Sequence, residues 1–254
     1  MMYVKEYSNI LASILTQNRP LSRTYSWTDN TQKVYATAFT NQLLKCSKKI
    51  SICAILSTID NKFLACLRTN TFLFTEIIKT KNNIRKKRLF LKYSKYLRKI
   101  ERRILSLELR IFPEDSDNEY NNIMFPGGIP KPGEDIILCL AREIKEEINI
   151  DNKHIFLDSR FFVHTLIEDK LIDRTFETIL FLGKVSLTSK EVSDKFLANK
   201  EVRSLIFLDT IGEGIEYDIV RYVISISRLK CYGNKGKTID SLQKKVNELL
   251  NKNN

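Results

Sequence analysis

Glu143, Glu146 and Glu147 stand at i, i+3 and i+4, so on a helix they share one side of the cylinder. Ile137, Ala141, Ile144 and Ile148 recur at i, i+4, i+7 and i+11, with Leu140 beside them, and mark the buried face of that helix. Like charges at this spacing cost an isolated helix roughly 0.2–0.5 kcal/mol per pair, so a cation is expected to compensate. Arg142 supplies one positive charge. A divalent ion supplies more, and hard carboxylate oxygens suit Mg²⁺ or Mn²⁺. The chemistry such an ion serves is hydrolysis at an anionic centre: it neutralises developing charge and lowers the pKa of a bound water. A solvated acidic face is the plain alternative for three acids taken alone.

The elements around the acids are legible too. Pro132-Gly133 punctuates the helix entry, and Glu134-Asp135 places negative charge where the helix dipole favours it. Asn149 ends the run, and Asn tolerates the left-handed conformation that often closes a helix. The spacing of the whole stretch is the stronger signal. Gly128, five residues, Glu134, seven residues, then Arg142-Glu143-Ile144-Lys145-Glu146-Glu147-Ile148-Asn149-Ile150 resembles the Nudix box. The final Gly of that pattern is Asn149 here; every other defined position matches. The resemblance implies an α/β fold, a Nudix α/β/α sandwich, and cleavage of a nucleoside diphosphate linked to another group. It also implies that Glu143, Glu146 and Glu147 bind metal, that Arg142 orients Glu143, and that Gly127-Gly128 forms the loop bringing the helix onto the sheet.

The 254-residue chain is 43% hydrophobic, enough to bury a core in one large domain or in one domain plus an insertion. Its five cysteines, Cys46, Cys53, Cys66, Cys139 and Cys231, form no C-x-x-C pair and read as reduced thiols of a cytosolic protein. Two histidines, His154 and His164, make a zinc site an unfavoured reading. No run approaches the roughly 20 apolar residues of a bilayer span, and the N-terminal residues lack a signal-peptide pattern. Ile10, Leu11, Ile14 and Leu15 form a short amphipathic stripe, expected to pack on the domain, with membrane-surface or organelle association a minor alternative.

Ile50 to Arg68 reads as two β runs around the turn Asp60-Asn61-Lys62. The stretch leading to Gly127-Gly128 then begins only at Ile123, after a long segment with almost no Gly or Pro. The expected division is a helical N-terminal segment over 1–46, the first Nudix part over 47–69, a basic helical insertion over 70–120, and the rest with C-terminal helices over 121–254. The N-terminal segment and the insertion are expected to form a second, helical lobe. Further strands are expected at 155–166, 175–186 and 202–209, a helix over "GIEYDIVRYVISISRLKCY", and a terminal helix in "IDSLQKKVNELLNK".

Charge concentrates in the insertion. Thr75 to Phe112 holds thirteen basic residues against three acidic ones, a local excess of +10 beside +12 for the whole chain. Lys86, Lys87, Arg88, Lys92 and Lys95 interleave with Phe90, Tyr93 and Tyr96. A block so one-sided points to a polyanion, RNA before an anionic membrane surface, and no DNA is expected.

The reading is an mRNA-decapping hydrolase that releases 7-methylguanosine diphosphate and 5′-monophosphate RNA. A small-metabolite pyrophosphatase and a non-catalytic RNA-binding module are the alternatives. "FPGGIPKPGEDIILCLAREIKEEINID", "RFFVHTLIED", "LIFLD" and "LKCYG" look like the poxvirus Nudix decapping enzymes. That resemblance implies capped mRNA as substrate, turnover of viral and host transcripts, host translation shutoff and a host-cytoplasmic location. The cationic cap base stacks on aromatic rings and offers N–H groups to an acid. Tyr217, Phe63, Tyr232 and Phe125, with Asp151 or Glu168, are the candidates. Glu177 and Glu191 are candidates for the general base, each with a structural reading beside it: strand-end acid for Glu177, helix-cap partner for Glu191.

Overall fold

Val34, Ala36 and Ala38 are buried at every second position of "QKVYATAFT", the signature of a half-buried strand. The computed structural model describes residues 18–40, 50–113, 120–158, 160–229 and 237–238. It makes that stretch β2 (Gln32–Thr40), paired on one side with β1 (Tyr25–Thr28) and on the other with β8 (Phe161–Asp169). The expectation of a helical segment over 1–46 is therefore corrected for 25–40. The alternation of small and β-branched side chains there wins a place at the sheet edge, and these residues build no lobe with the insertion. The stripe at Ile10 to Leu15 and the terminal helix lie outside the described residues.

The sheet runs β1-β2-β8-β9-β3-β4-β10. It includes β3 (Ser51–Ser57), β4 (Phe63–Arg68), β9 (Arg174–Val185) and β10 (Val202–Leu208). Only the β3–β9 pairing along this path is parallel. Asn61, with φ of 58°, turns the β3–β4 hairpin in the conformation that Asn accepts. Beyond the turn the hairpin splits. β5 (Ile123–Met124) pairs with β4 while β6 (Gly127–Gly128) pairs with β3, so residues 123–128 form a wedge between the two. Beyond the stretch that pairs with β8, the last residues of β9 pair with β7 (Ile155–Leu157), which pairs in turn with β11 (Lys237–Thr238).

One helix covers each face. α4 (Ile136–Ile148) buries Cys139, Leu140, Ala141, Ile144 and Ile148 against Ile52, Ala54, Leu64, Cys66, Phe162, Ile179 and Phe181. α6 (Ile215–Ser227) buries Ile219, Val220 and Val223 against Val34, Ala38, Ile55, Phe63, Phe161 and Val163. This is the expected α/β/α arrangement. α5 (Ser189–Lys195) sets Val192 into the α4 side.

The segment between β4 and β5 supplies α1 (Phe72–Lys79), α2 (Asn83–Tyr93) and α3 (Lys99–Leu109). Thr71 caps α1 and Asn82 caps α2 through side-chain bonds to backbone N–H groups. Leu73, Ile77, Phe90, Leu105 and Leu109 form a core of their own with Leu171 and Ile172 from the β8–β9 turn. Ile100, Ile104 and Leu107, although at helical spacing, face solvent. α3 instead buries Glu101, which accepts Thr71 N (2.6 Å), Thr71 Oγ1 (2.9 Å) and Arg98 N (3.0 Å). Arg174 of β9 pairs with Glu76 of α1 at 2.8 Å. These polar ties fasten the helices to the sheet.

Candidate active site

Asp135 caps α4 by accepting Ile137 N at 2.8 Å, and Asn149 closes it with φ of 55° and ψ of 33°. Asn in place of the motif's last Gly therefore adopts the left-handed turn that position requires. Between these caps, Glu147 is the buried acid at 3% exposure, while the Glu146 side chain is 58% exposed and Glu143 intermediate.

The wedge strand β6 receives this helix. Glu147 Oε2 accepts Gly127 N at 2.7 Å. A Cβ on Gly128 would lie 2.4 Å from the Glu143 carboxyl, so only glycine lets the acid reach the loop. Arg142 grips Glu134 through two parallel bonds, Nε to Oε1 at 2.8 Å and Nη2 to Oε2 at 2.9 Å. Its Nη1 donates to Glu143 Oε1 at 2.6 Å and, more weakly, to Glu146 Oε2 at 3.4 Å. One guanidinium thus ties the helix entry to the acids.

Electrostatics follow from this crowding. Burial first, with the charges of Glu143 and Glu201, pushes Glu147 up to about 8 against the opposing Gly127 N–H and Arg68. Burial raises Glu143 as well, against the pull of Arg142. Arg142 holds Glu134 down at about 2. Burial raises the Cys53 and Cys66 thiols, and none of the three described cysteines is in a disulfide.

The donor set suits a hard divalent ion: carboxylate oxygens only, with burial and mutual repulsion that a cation would relieve. Among the described residues, no three acidic, His or Cys side chains converge on one point as they stand. Glu147 turns to Gly127, Glu143 to Arg142 and Glu146 to solvent.

The remaining expectations divide. Glu177 is half-buried on β9 with Oε1 3.5 Å from His164 Nε2. Glu191 is corrected: it accepts Thr188 N (2.7 Å) and Thr188 Oγ1 (2.8 Å) in the capping box of α5, and is spent there. The cap-stacking set is also corrected. Phe63 is 8% exposed, and it and Tyr217 pack into the α6 face. Asp151 lies past the end of α4, paired with Lys145 at 2.8 Å, so the three do not meet. Phe125 is core, and Tyr232 lies outside the described residues. In the insertion Lys87, Arg88, Lys92 and Lys95 are exposed, whereas Lys86 is 13% exposed and bound to Glu108 at 3.0 Å. Sequence reasoning missed Glu201 and Arg68, whose charges bear on Glu147. It also missed the aromatic group of Tyr25, Trp27 and Tyr222, which sits on the α6 face. Nothing in linear spacing singles out the first two; the alternation Tyr25-Ser26-Trp27 was the signal for the third.

The Glu134–Arg142 grip carries a stability prediction. A carboxylate held at about 2, against 4.5 when free, stabilises the fold fully above pH 4.5 and loses that contribution as pH falls through 2. Glu134→Gln is expected to cost roughly 1–3 kcal/mol at pH 7, as for hydrogen bonds to a charged group. Chemical denaturation of both proteins from pH 7 to 2 should show the gap closing over pH 4.5 to 2. A gap independent of pH would refute the ion pair.

Comparison with known proteins places these elements. Residues 101–208 match the NUDIX domain, and residues 5–46 match the family described as Viral D10 N-terminal. The chain is 49% identical over 238 residues to the mRNA-decapping protein OPG122 of vaccinia virus (strain Copenhagen), covering 93% of this chain and 96% of that one. It is 40% identical to the mRNA-decapping protein D10 of fowlpox virus (strain NVSL), covering 84% and 95%. Among solved structures it is similar to a C. elegans Ap4A hydrolase, with a TM-score of 0.37 and 12% identity over 70% of this chain and 93% of that one.

Proposed function

Because this chain belongs to the family of poxvirus mRNA-decapping proteins with a NUDIX domain, we propose that it is a metal-dependent decapping hydrolase acting through the acidic face of α4. Its reaction is cleavage of the cap's pyrophosphate chain, releasing 7-methylguanosine diphosphate and 5′-monophosphate RNA. The observation that carries this reading is the meeting of Glu143 and Glu147 with the Gly127-Gly128 wedge, at the positions the Nudix pattern assigns to metal ligands.

Glu143, Glu146 and Glu147 would hold Mg²⁺ or Mn²⁺, which supplies charge neutralisation and a water of lowered pKa. Arg142 keeps Glu143 in place, and Gly127 N–H fixes the rotamer of Glu147. Glu201 is the acid outside the box whose field reaches both Glu143 and Glu147, which makes it a better candidate for extra ligand or base than Glu191. Glu177 serves the proton-accepting role less directly, through its contact with His164. In the host cytoplasm such an enzyme would shorten the life of viral and host messages and so suppress host translation.

Cap-labelled RNA incubated with the protein and Mg²⁺ or Mn²⁺ tests the reaction. Release of 7-methylguanosine diphosphate is expected. Release of the monophosphate, or cleavage of small nucleotides alone, would overturn it.

Capped mRNA also needs a place for its body, and the exposed Lys87, Arg88, Lys92 and Lys95 are suited to it. Replacing these four with Ser is expected to weaken binding of capped RNA while leaving a cap dinucleotide unaffected. The slope of log affinity against log salt should flatten by about 0.7 for each lost phosphate contact. Equal loss on both ligands would place these side chains elsewhere than on RNA.

A further inference from the structure

Arg68 closes β4, two residues after Cys66, and so shares the strand face that Cys66 turns to α4. It stands opposite Val202 of β10. Its N–H donates to Asn122 O at 3.1 Å, which puts it beside the wedge that ends in Gly127-Gly128. The next residue, Thr69, donates to Glu201 O at 2.8 Å. The guanidinium therefore sits at the rim of the acidic cluster, and its charge acts on Glu201 and Glu147.

Its own bonds are weak for a half-buried cation. Nε donates to Asn70 O at 3.1 Å and Nη1 to Met124 Sδ at 3.5 Å; the first acceptor is neutral, and a thioether is a poor one. Among the described residues Nη2 makes no hydrogen bond, and no carboxylate lies within 4 Å of the group. The plane is held instead by Phe72, the first residue of α1, with Cζ 4.2 Å from the ring centroid. A structural arginine of this kind would be expected to close on Glu147 or Glu201, and it does not. A rigid fork kept free of the carboxylates beside it is arranged for another anion. Phosphate oxygens bridged to those carboxylates by a cation are the anion that fits.

The geometry points to Arg68 as a ligand of the substrate's phosphate chain, aimed by its stack on Phe72 at the start of the helical insertion. This rests on the pyrophosphate-hydrolase reading above. It adds a phosphate contact outside the box, on an arginine whose side chain is positioned by the helical lobe.

Arg68→Met, which keeps the stem, is compared with wild type in two assays: kcat/KM on a cap dinucleotide and on capped RNA, and the Kd of inorganic tripolyphosphate with Mg²⁺ present. The variant should lose about 10- to 100-fold in kcat/KM on both substrates alike, the effect of one charge-assisted bond. The tripolyphosphate Kd should rise about as much. Arg68→Lys, which keeps the charge but not the fork, should recover part of both. Wild-type tripolyphosphate affinity in Arg68→Met would overturn the proposal, even with slowed hydrolysis. Should Arg68→Met lack a cooperative thermal transition, Arg68→Lys decides, and wild-type values for it overturn the proposal. Should the wild-type protein cleave no capped substrate while its tripolyphosphate binding still depends on Arg68, the decapping reading falls and the phosphate contact stands.

Discussion

Glu147→Gln is expected to abolish hydrolysis while making the metal-free protein more stable. Loss of activity should reach roughly 10³-fold or more, about 4 kcal/mol of transition-state stabilisation, because one charge of the metal-binding set is gone. The stability gain follows from the sign of the shift. Glu147 sits at about 8 in the fold against 4.5 when free, so its ionised form is disfavoured by folding. Below pH 4.5 the carboxyl is protonated in both states and the variant gains nothing. As pH rises from 4.5 to 8 the wild type loses stability relative to the variant, and the gap is complete above 8. The Gln amide oxygen still accepts Gly127 N–H, so the loop keeps its bond. Thermal melts of the two proteins without metal, from pH 4 to 9, read this directly. Added Mg²⁺ or Mn²⁺ should raise the wild-type melting temperature and leave the variant nearly unmoved. Turnover near wild type at saturating metal would remove Glu147 from the site.

The second large effect belongs to the loop. Gly127 has φ of 147°, and a Cβ there would lie 2.1 Å from Ile52 O and 2.5 Å from Cys53 Cα, both backbone atoms of β3. Gly127→Ala cannot be absorbed by a side-chain rotation; β6 must leave β3 and carry the partner of Glu147 with it. A cost of about 3–5 kcal/mol is expected, the range of the most damaging single substitutions, with hydrolysis lost in whatever folds. Gly133 provides the control. Its φ of 79° is also positive, but a Cβ would meet nothing within 4 Å. Gly133→Ala should cost only the backbone strain, about 1–2 kcal/mol, and leave turnover nearly intact. Denaturant midpoints and specific activities for the pair would show whether close packing or φ alone sets the penalty; equal losses would mean φ alone.

The box was legible because its residues lie on one helix. A period of 3.6 places Glu143, Glu146 and Glu147 together without reference to any other segment, and Asp135 and Asn149 mark both ends of that helix. The strands near 51–68, 161–185 and 202–208 were legible for the same local reason. The edge strands at 25–40 were missed because short alternating stretches of Ala and Thr carry a faint hydrophobic signal, and they join the sheet only once β8 is there to receive them.

What the linear order determined by itself, then, is the chemistry: a helix presenting acids, a glycine pair to meet it, and a basic insertion. What the tertiary structure decided is the company those acids keep. Pairing of β4 with β10 brings Arg68 and Glu201 to one end of the sheet, although more than a hundred positions separate them. A local capping box took Glu191, an ion pair between α2 and α3 took Lys86, and burial took Phe63 into the α6 core. The physical reason is that side-chain period states which way a residue points along its own element. Only the long-range pairing of strands, and the burial it forces, states what lies on the other side.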